Sequence, residues 1–365
     1  MATPRHLLVD PANECDYHLV SRCVRRAFLC GVDEFTGRDC SHRRAWLVER
    51  MRQLSPCFAV DIYAYTVLDN HFHLVLRHDP LAHRDWTDEE VAWRWFEAFP
   101  PTERGAVAEA LKPERRELML GDPKRVARAR CTLGSMSHFM KHLKQPVARR
   151  ANLEDDRTGH FFEQRFYSGA LLTEEALIAA MAYVDLNPVR AKLAKRIEEI
   201  RDTSISERLQ VNSAEALADY LRPVVSGLDG WSAAADPPPR AVVAVEAHVD
   251  GETVMFDLDD IASGRPSEGD REEAAQEDSR PEPAAEEAGP ARPRPHFTLA
   301  EYVDLVRAMA EADAGRSADR ADGVSRWLAR TTVLRKRQRA FGDGPALRRW
   351  LADRTMQFRE TPLPA

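Results

Sequence analysis

The segment Asn-His-Phe-His-Leu-Val-Leu at 70–76 sets two histidines on either side of one bulky apolar residue, at the start of a strand-like run. Side chains along a β-strand point to opposite faces in turn, so His71 and His73 share one face while Phe72 points into the other layer. Two neutral imidazoles on one rigid face can bind a divalent metal ion together. The pair therefore predicts a metal site on a strand, although an isolated pair of this kind is more often two half-exposed histidines without a ligand.

A second motif lies about a hundred residues further on, in an amphipathic stretch that begins near Thr173. Thr173 is a favourable N-cap, and apolar residues then recur at helical spacing. Tyr183 and Asn187 are one helical turn apart and therefore share a face. Pro188 is expected to end the helix just after them, because proline disfavours helical geometry in the residue before it. The alternative interpretation is a tyrosine that anchors the core and an asparagine near a turn.

Three blocks in this order resemble the single-tyrosine HUH transposases, and most closely the REP-associated tyrosine transposases of bacteria. They are Asn-His-Phe-His-Leu at 70–74, Gly-His-Phe-Phe-Glu-Gln-Arg-Phe at 159–166 and Tyr-Val-Asp-Leu-Asn-Pro-Val-Arg-Ala at 183–191. Tyr-His-Leu-Val-Ser-Arg at 17–22 also resembles that family's first strand. The resemblance covers roughly residues 15–78 and 132–195.

The resemblance implies an α+β fold, in which helices back a ferredoxin-like antiparallel sheet. It implies an enzyme that cuts single-stranded or hairpin DNA and keeps the 5′ end as a phosphotyrosine. By position, Tyr183 would be the nucleophile, and His71 and His73 would hold Mg²⁺ or Mn²⁺. Asn187 stands where the wider family has a third metal ligand, usually the longer glutamine.

Basic residues in the matching blocks are candidates for DNA binding. A helix expected over 132–148 has one polar face, which is either solvated or in contact with DNA phosphates. That face comprises His138, Lys141, His142 and Gln145. Lys141 and Lys144 of this helix, Arg165 and Arg190 are the predicted DNA contacts. Arg165 could instead pair with Glu163.

Tyr167 is the tyrosine most easily confused with the nucleophile. It lies in a segment, 158–172, that reads as extended, and it has no amide residue one helical turn further on. The sequence therefore favours Tyr183 over Tyr167 as the reactive residue.

The overall composition narrows the class of protein. The chain has 365 residues, of which 44% are hydrophobic, enough for a sizeable core and more than one folded unit. No apolar run approaches the ~20 residues of a membrane span, and no secretory signal opens the chain. Six cysteines without Cys-x-x-Cys spacing are typical of reduced thiols. We expect a cytoplasmic, nucleoid-associated protein without a membrane partner.

The net charge of −7 is concentrated in one segment. Residues 246–295 contain 15 acidic and 5 basic side chains among many Pro, Ala, Glu and Ser residues, a composition typical of disorder. The rest of the chain then carries about +3, as a protein that binds phosphates requires. The segment is expected to be a solvated linker; the alternative is an autoinhibitory mimic of DNA.

These patterns divide the chain into five parts. Residues 1–78 and 132–200 form the catalytic domain, 79–131 a helical insertion, 201–245 a helical extension, 246–295 the acidic linker and 296–365 a separate C-terminal helical unit. The predicted helices outside the catalytic domain are Asp85–Phe99, Pro101–Leu111, Ser213–Leu221, Thr298–Ala312, Gly323–Leu334 and Pro345–Met356. A basic run at 335–339 ends the second C-terminal helix and is either solvated or a further DNA contact.

The sequence thus predicts site-specific cutting and rejoining of single-stranded, hairpin-bearing DNA, with the activity in the first 200 residues. One alternative is a domesticated regulator that binds DNA hairpins and rarely cuts. Another is a metal hydrolase that uses His71 and His73 without a covalent step. Whether the protein is a monomer or a homodimer is left open by the sequence.

Overall fold

The computed structural model describes residues 8–24, 28–33, 37–211, 221, 242–246, 298–315, 322–335, 338–352 and 359–361. They all belong to one compact unit of the chain, which comprises 4–248 and 295–365. Most of the acidic segment 246–295 and the predicted helix Ser213–Leu221, apart from its last residue, lie outside the described residues. None of the helices in the described part is both long and apolar enough to cross a membrane.

Strands and helices alternate irregularly along the chain. The N-terminal part contains β1 (Cys15–Arg22), α1 (Arg43–Leu54), β2 (Val60–Leu68) and β3 (His71–His78). The insertion contains α2 (Asp88–Ala98), the short strands β4 (Thr102–Glu103) and β5 (Ala106–Val107), α3 (Lys112–Leu120) and α4 (Pro123–Leu133). There follow α5 (Met136–Glu154), β6 (Tyr167–Leu171), α6 (Glu174–Arg190) and α7 (Ser204–Arg208). The last elements are β7 (Val242–Glu246), α8 (Leu299–Asp313), α9 (Asp322–Val333), β8 (Ala340–Asp343), α10 (Gly344–Ala352) and β9 (Arg359–Thr361).

One seven-stranded sheet, in the order β2-β3-β1-β6-β8-β7-β9, organises the fold. The pairs among β1, β2, β3 and β6 are antiparallel, whereas β6 and β8 run parallel. The predicted α+β class is confirmed, but the sheet is mixed rather than purely antiparallel. The parallel pair arises because the chain reaches β8 through α8 and α9, and only such a crossover can deliver a parallel neighbour.

The hairpin of β2 and β3 places the two histidines. Asp69 and Asn70 join the strands, and Leu68 lies opposite His71 in the register. The carbonyl of Asp69 accepts the backbone N–H groups of residues 29 and 30, which fixes the turn. Phe72 points away from the histidines and packs 5.9 Å from the ring of Phe162, as the alternation predicts.

Helix α6 begins as predicted and ends later than predicted. The Thr173 hydroxyl accepts the N–H of Ala176 at 3.2 Å, which caps the first turn. Pro188 lies inside the helix, which continues to Arg190, so the expected end at Asn187 was wrong. A proline removes only one helical hydrogen bond, and in the last turn the chain recovers its pairing when the N–H of Ala191 reaches the carbonyl of Asn187.

The insertion differs from its predicted pattern. Thr87 caps α2, close to the expected start, but Pro101–Leu111 is not a helix. Arg104 and Gly105 both have positive φ, 50° and 85°, and therefore form a turn between β4 and β5. The single helix expected over 132–148 is also interrupted, because Ser135 starts α5 with its own cap after α4 has ended.

The described part of the C-terminal segment joins the same sheet and packs on α6, which differs from the separate unit predicted for 296–365. The Tyr302 hydroxyl of α8 donates to Asp185 Oδ2 at 2.7 Å, and Arg190 Nε donates to Asp313 Oδ2 at 2.7 Å. Helical spacing marked these helices in the sequence. Their docking depends on polar partners more than a hundred residues away, which spacing does not reveal.

Candidate active site

His71 and His73 lie on the face of the sheet that α6 covers. Their ring centroids are 5.0 Å apart, and His73 is 4% exposed whereas His71 is half-buried. His71 Nδ1 is 2.6 Å from the amide oxygen of Asn70. That oxygen only accepts, so Nδ1 carries the proton and Nε2 of His71 keeps its lone pair.

Helix α6 brings Tyr183 and Asn187 to the same histidine. The Tyr183 ring lies 5.7 Å from the His73 ring at an interplanar angle of 73°. Asn187 Nδ2 is 3.4 Å from His73 Nε2. Within the described part of the chain, the Tyr183 hydroxyl makes no hydrogen bond. The one-turn spacing therefore places a phenol and an amide beside one imidazole.

His18 of β1 is a further residue of the cluster that the sequence reasoning missed. It is 1% exposed, and its Nε2 lies 2.9 Å from His73 Nδ1. Burial lowers the pKa of His18 to about 3, so its ring is neutral at physiological pH. Tyr17 and His18 belong to the block at 17–22, which the sequence predicted to be a strand. The signal overlooked was that His18 and His73 occupy neighbouring strands.

Tyr167 is near the cluster, but its hydroxyl has a partner elsewhere. Its ring is 6.0 Å from His18, and its O–H donates to the backbone carbonyl of Gln338. Gly169 permits this path, since a Cβ at that position would come within 2.5 Å of the Tyr167 oxygen. The tyrosine that competed with Tyr183 in the sequence is therefore bonded to the C-terminal segment.

The four predicted DNA contacts have different environments. Lys141 and Arg165 are exposed, and Lys144 Nζ donates to the carbonyl of Glu163 at 3.2 Å. Arg190 is turned inward, where it binds Asp313 and, through Nη2, the hydroxyl of Thr331 at 2.9 Å. Its remaining Nη1 is buried without a hydrogen-bond partner among the described residues, and its Cζ lies 5.8 Å from the centre of the Tyr183 ring.

The polar face predicted for α5 is only partly open to solvent. Lys141 and Gln145 are exposed, but His142 packs 4.6 Å from the ring of Phe99. Burial lowers the pKa of His142 to about 3, and the neighbouring positive charges act in the same direction. The expectation of a continuous phosphate-binding face was therefore wrong at His142.

A buried ionic network holds the other side of α6. Asp185 is completely buried, receives hydrogen bonds from the hydroxyls of Ser204 and Tyr302, and lies 3.6 Å from Arg208 Nη1. Burial raises the pKa of Asp185, because desolvation outweighs the attraction of Arg208. Asp185 stands midway between Tyr183 and Asn187, so this network fixes the turn that carries both residues.

The donor atoms of the cluster fit a small divalent cation. Neighbouring ligands of an octahedral ion bound at ~2.1 Å lie about 3 Å apart, close to the 3.4 Å between the Asn187 amide and His73 Nε2. A half-turn of the amide would bring its oxygen to that place. No group of three or more His, Cys, Asp and Glu in the described part of the chain could hold a metal. The candidate ligands at this place are two imidazoles, His71 and His73, and the Asn187 amide oxygen.

Comparison with known proteins gives one distant likeness. No protein-family model matches the chain, and no curated protein is detectably similar in sequence. A solved structure of a REP-associated tyrosine transposase bound to a REP hairpin is 11% identical, with a TM-score of 0.32. The likeness covers 54% of this chain and 79% of that one.

Proposed function

We propose that this protein cuts and rejoins single-stranded, hairpin-bearing DNA through a covalent bond to Tyr183. The observation that carries the proposal is the meeting of α6 and β3. Tyr183 has its ring 5.7 Å from His73, and Asn187, one turn on, reaches the same imidazole at 3.4 Å. A phenol that makes no hydrogen bond within the described part of the chain, beside three candidate ligands, suits nucleophilic attack on a phosphodiester.

The reaction balances without a nucleotide cofactor. The Tyr183 oxygen attacks phosphorus, the bond from phosphorus to the 3′ oxygen breaks, and the phenol proton ends on the released 3′-hydroxyl. The DNA 5′ end stays on the tyrosine as a phosphodiester, so attack by a 3′-hydroxyl reverses the step and joins strands.

His71, His73 and Asn187 would hold Mg²⁺ or Mn²⁺, which supplies charge neutralisation at the phosphoryl oxygens and fixes in-line geometry. The chain itself orients these ligands: Asn70 holds His71 by its Nδ1, at 2.6 Å. Arg190 adds a fixed positive charge beside the Tyr183 ring, 5.8 Å from its centre.

DNA phosphates would approach across exposed basic residues of α5 and of the segment 158–166. Lys141 and Arg165 are solvent-exposed. The Nζ of Lys144 lies 5.6 Å from the centre of the Phe162 ring. Arg190 is not among these contacts, because its Nε and Nη2 bind Asp313 and Thr331 and its Nη1 is buried. These contacts supply affinity that depends on salt, whereas a hairpin is selected by shape and stacking.

The test is the formation of a covalent adduct with a labelled hairpin oligonucleotide, observed on a denaturing gel with Mn²⁺. Wild type should form the adduct, Tyr183→Phe should form none, and the matched control Tyr167→Phe should retain it. Hairpin binding by all three proteins should be similar, because the substitution removes one hydroxyl. A wild-type protein that binds the hairpin without any adduct would instead be a hairpin-binding regulator.

A further inference from the structure

His18 and His73 form a buried imidazole pair at the centre of the sheet. Their rings are nearly parallel, 13° apart, with centroids separated by 5.2 Å. A ring nitrogen of each, His18 Nε2 and His73 Nδ1, approaches to 2.9 Å. The Tyr183 ring lies edge-on to both, at 5.7 Å from each centroid. The pair therefore touches the site without His18 being one of its three candidate ligands.

The neighbours of the pair decide where the protons lie. A neutral imidazole has one N–H and one acceptor nitrogen, so a contact at 2.9 Å needs a donor on one ring and an acceptor on the other. Nε2 is the His73 nitrogen that faces Asn187, the other candidate ligand, so a cation held there would take the Nε2 lone pair. His73 must then carry its proton on Nδ1 and donate it to His18 Nε2.

This arrangement leaves a buried group of His18 unsatisfied. The His18 proton then sits on Nδ1, which is buried without a hydrogen-bond partner among the described residues. Such an orphan N–H destabilises the folded state, because it has lost its hydrogen bond to water. A phenylalanine of similar shape would remove this orphan N–H but would leave the Nδ1–H of His73 without its acceptor, so what the histidine adds at this position is the acceptor nitrogen.

We infer that His18 is a positioning residue for the cation site: it accepts the Nδ1–H of His73 and thereby directs the His73 Nε2 lone pair at the cation. The inference rests on the proposed function only in taking His73 as a ligand. Outer partners of this kind fix the tautomer and the ring orientation of a ligating histidine.

Two substitutions at His18 distinguish its role as a hydrogen-bond acceptor from its role in packing. His18→Phe keeps a ring but has no acceptor, whereas His18→Gln places an amide oxygen near the original Nε2. The full-length proteins are titrated with Mn²⁺ alone, and the bound ion is measured by calorimetry. We expect Mn²⁺ affinity to fall by about 10–100-fold in His18→Phe and to recover most of that loss in His18→Gln.

A second readout detects a merely structural role. The thermal midpoint of His18→Phe should change little, because one orphan N–H on His18 is exchanged for one on His73. The matched control is His78→Phe, which replaces another buried histidine whose Nε2 binds the carbonyl of Gly134 at 2.9 Å. Its Mn²⁺ affinity should equal that of wild type, even if its midpoint falls.

The outcomes distinguish this inference from the proposed function. Wild-type affinity in folded His18→Phe, or equal losses in the Phe and Gln variants, would overturn the role of His18 alone. Failure of the wild-type protein to bind Mn²⁺ would overturn the cation site itself. If the variants do not fold, ¹⁵N NMR of wild-type histidines with Mg²⁺ decides, since a proton on His73 Nε2 contradicts the inference.

Discussion

At the scale of single residues, His73 is the point on which the site converges. One of its ring nitrogens faces His18 and the other faces Asn187, while the Tyr183 ring packs against its side. A buried polar group with both nitrogens engaged has one orientation, which is what an active site needs from a ligand. The proposed chemistry therefore depends on this imidazole more than on any other single side chain.

We predict that His71→Ala and His73→Ala each abolish the cation-dependent adduct. Loss of one imidazole leaves too few ligands for an oxygen-loving cation that dedicated protein sites hold reluctantly. Asn187→Ala should weaken activity less, because water can replace an amide oxygen. Adduct yield is measured against Mn²⁺ concentration for each variant. Undiminished activity in a chelator, or in the double histidine variant, would contradict the metal role.

At the scale of elements, α6 is held between the sheet and the C-terminal helix α8. The four alanines between 176 and 182 are buried and allow the helix to approach the sheet closely. On the other side of the helix, Asp185 accepts a hydrogen bond from the Tyr302 hydroxyl. The turn that carries Tyr183 is thus fixed by contacts made on both sides of the helix.

We predict that Tyr302→Phe lowers the free energy of unfolding by about 1–3 kcal/mol, because it leaves a buried carboxyl oxygen of Asp185 without its donor. The measurement is urea denaturation of wild type, Tyr302→Phe, Asp185→Asn and the double variant. The two losses should be clearly non-additive, since the residues are in contact. Additive effects would show that the hydroxyl does not stabilise Asp185.

A pH dependence follows from His142 in α5. Its folded pKa is lowered from 6.5 to about 3, so the unfolded chain binds the proton first as pH falls through 6.5. Stability due to His142 is therefore present above pH 6.5 and is lost progressively towards pH 3, at about 1.4 kcal/mol per pH unit. His142→Phe should lose less stability than wild type between pH 7 and pH 5 in urea denaturation. The stability of the exposed control Gln145→Ala should change with pH as that of wild type does. If the stability of His142→Phe also falls with pH as steeply as that of wild type, His142 is not the source of the pH dependence.

The sequence predicted those parts of the fold and site that depend on local pattern. Alternation placed His71 and His73 on one face, and helical spacing put Tyr183 beside Asn187. The role of Pro188 was misjudged, since a breaker near a helix end can be accommodated. The contacts of His18 and the docking of α8 depend on pairing between distant segments, which no local pattern records.

At the scale of the whole molecule, the first 200 residues do not form an independent site. A chain that ended near residue 240 would lack Tyr302, which binds Asp185, and Asp313, which binds Arg190. It would also lack β8, whose pairing with β6 covers that strand's edge. We predicted that the first 200 residues carry the activity. The contacts above indicate that these residues need the C-terminal helices to hold α6 in place.

Charge neutralisation tests the acidic segment without removing these helices. Residues 246–295 carry a net charge of about −10, and exposed charges repel phosphates within a Debye length of ~8–10 Å. We predict that replacing the Asp and Glu residues of 250–287 by Asn and Gln in the full chain tightens binding of non-specific DNA at low salt. The difference should vanish at high salt in a fluorescence titration. Identical affinities at every salt concentration would show that the segment does not compete with DNA.

The central claim is that Tyr183 itself becomes joined to DNA, and mapping of the linked peptide tests it most directly. Wild-type protein is treated with a hairpin oligonucleotide and Mn²⁺, digested with a protease and a nuclease, and analysed by mass spectrometry. The account predicts one nucleotide-modified peptide, with the phosphodiester on Tyr183, and none in Tyr183→Phe. A modified peptide that contains Tyr167 instead, or an adduct that persists in Tyr183→Phe, would contradict it.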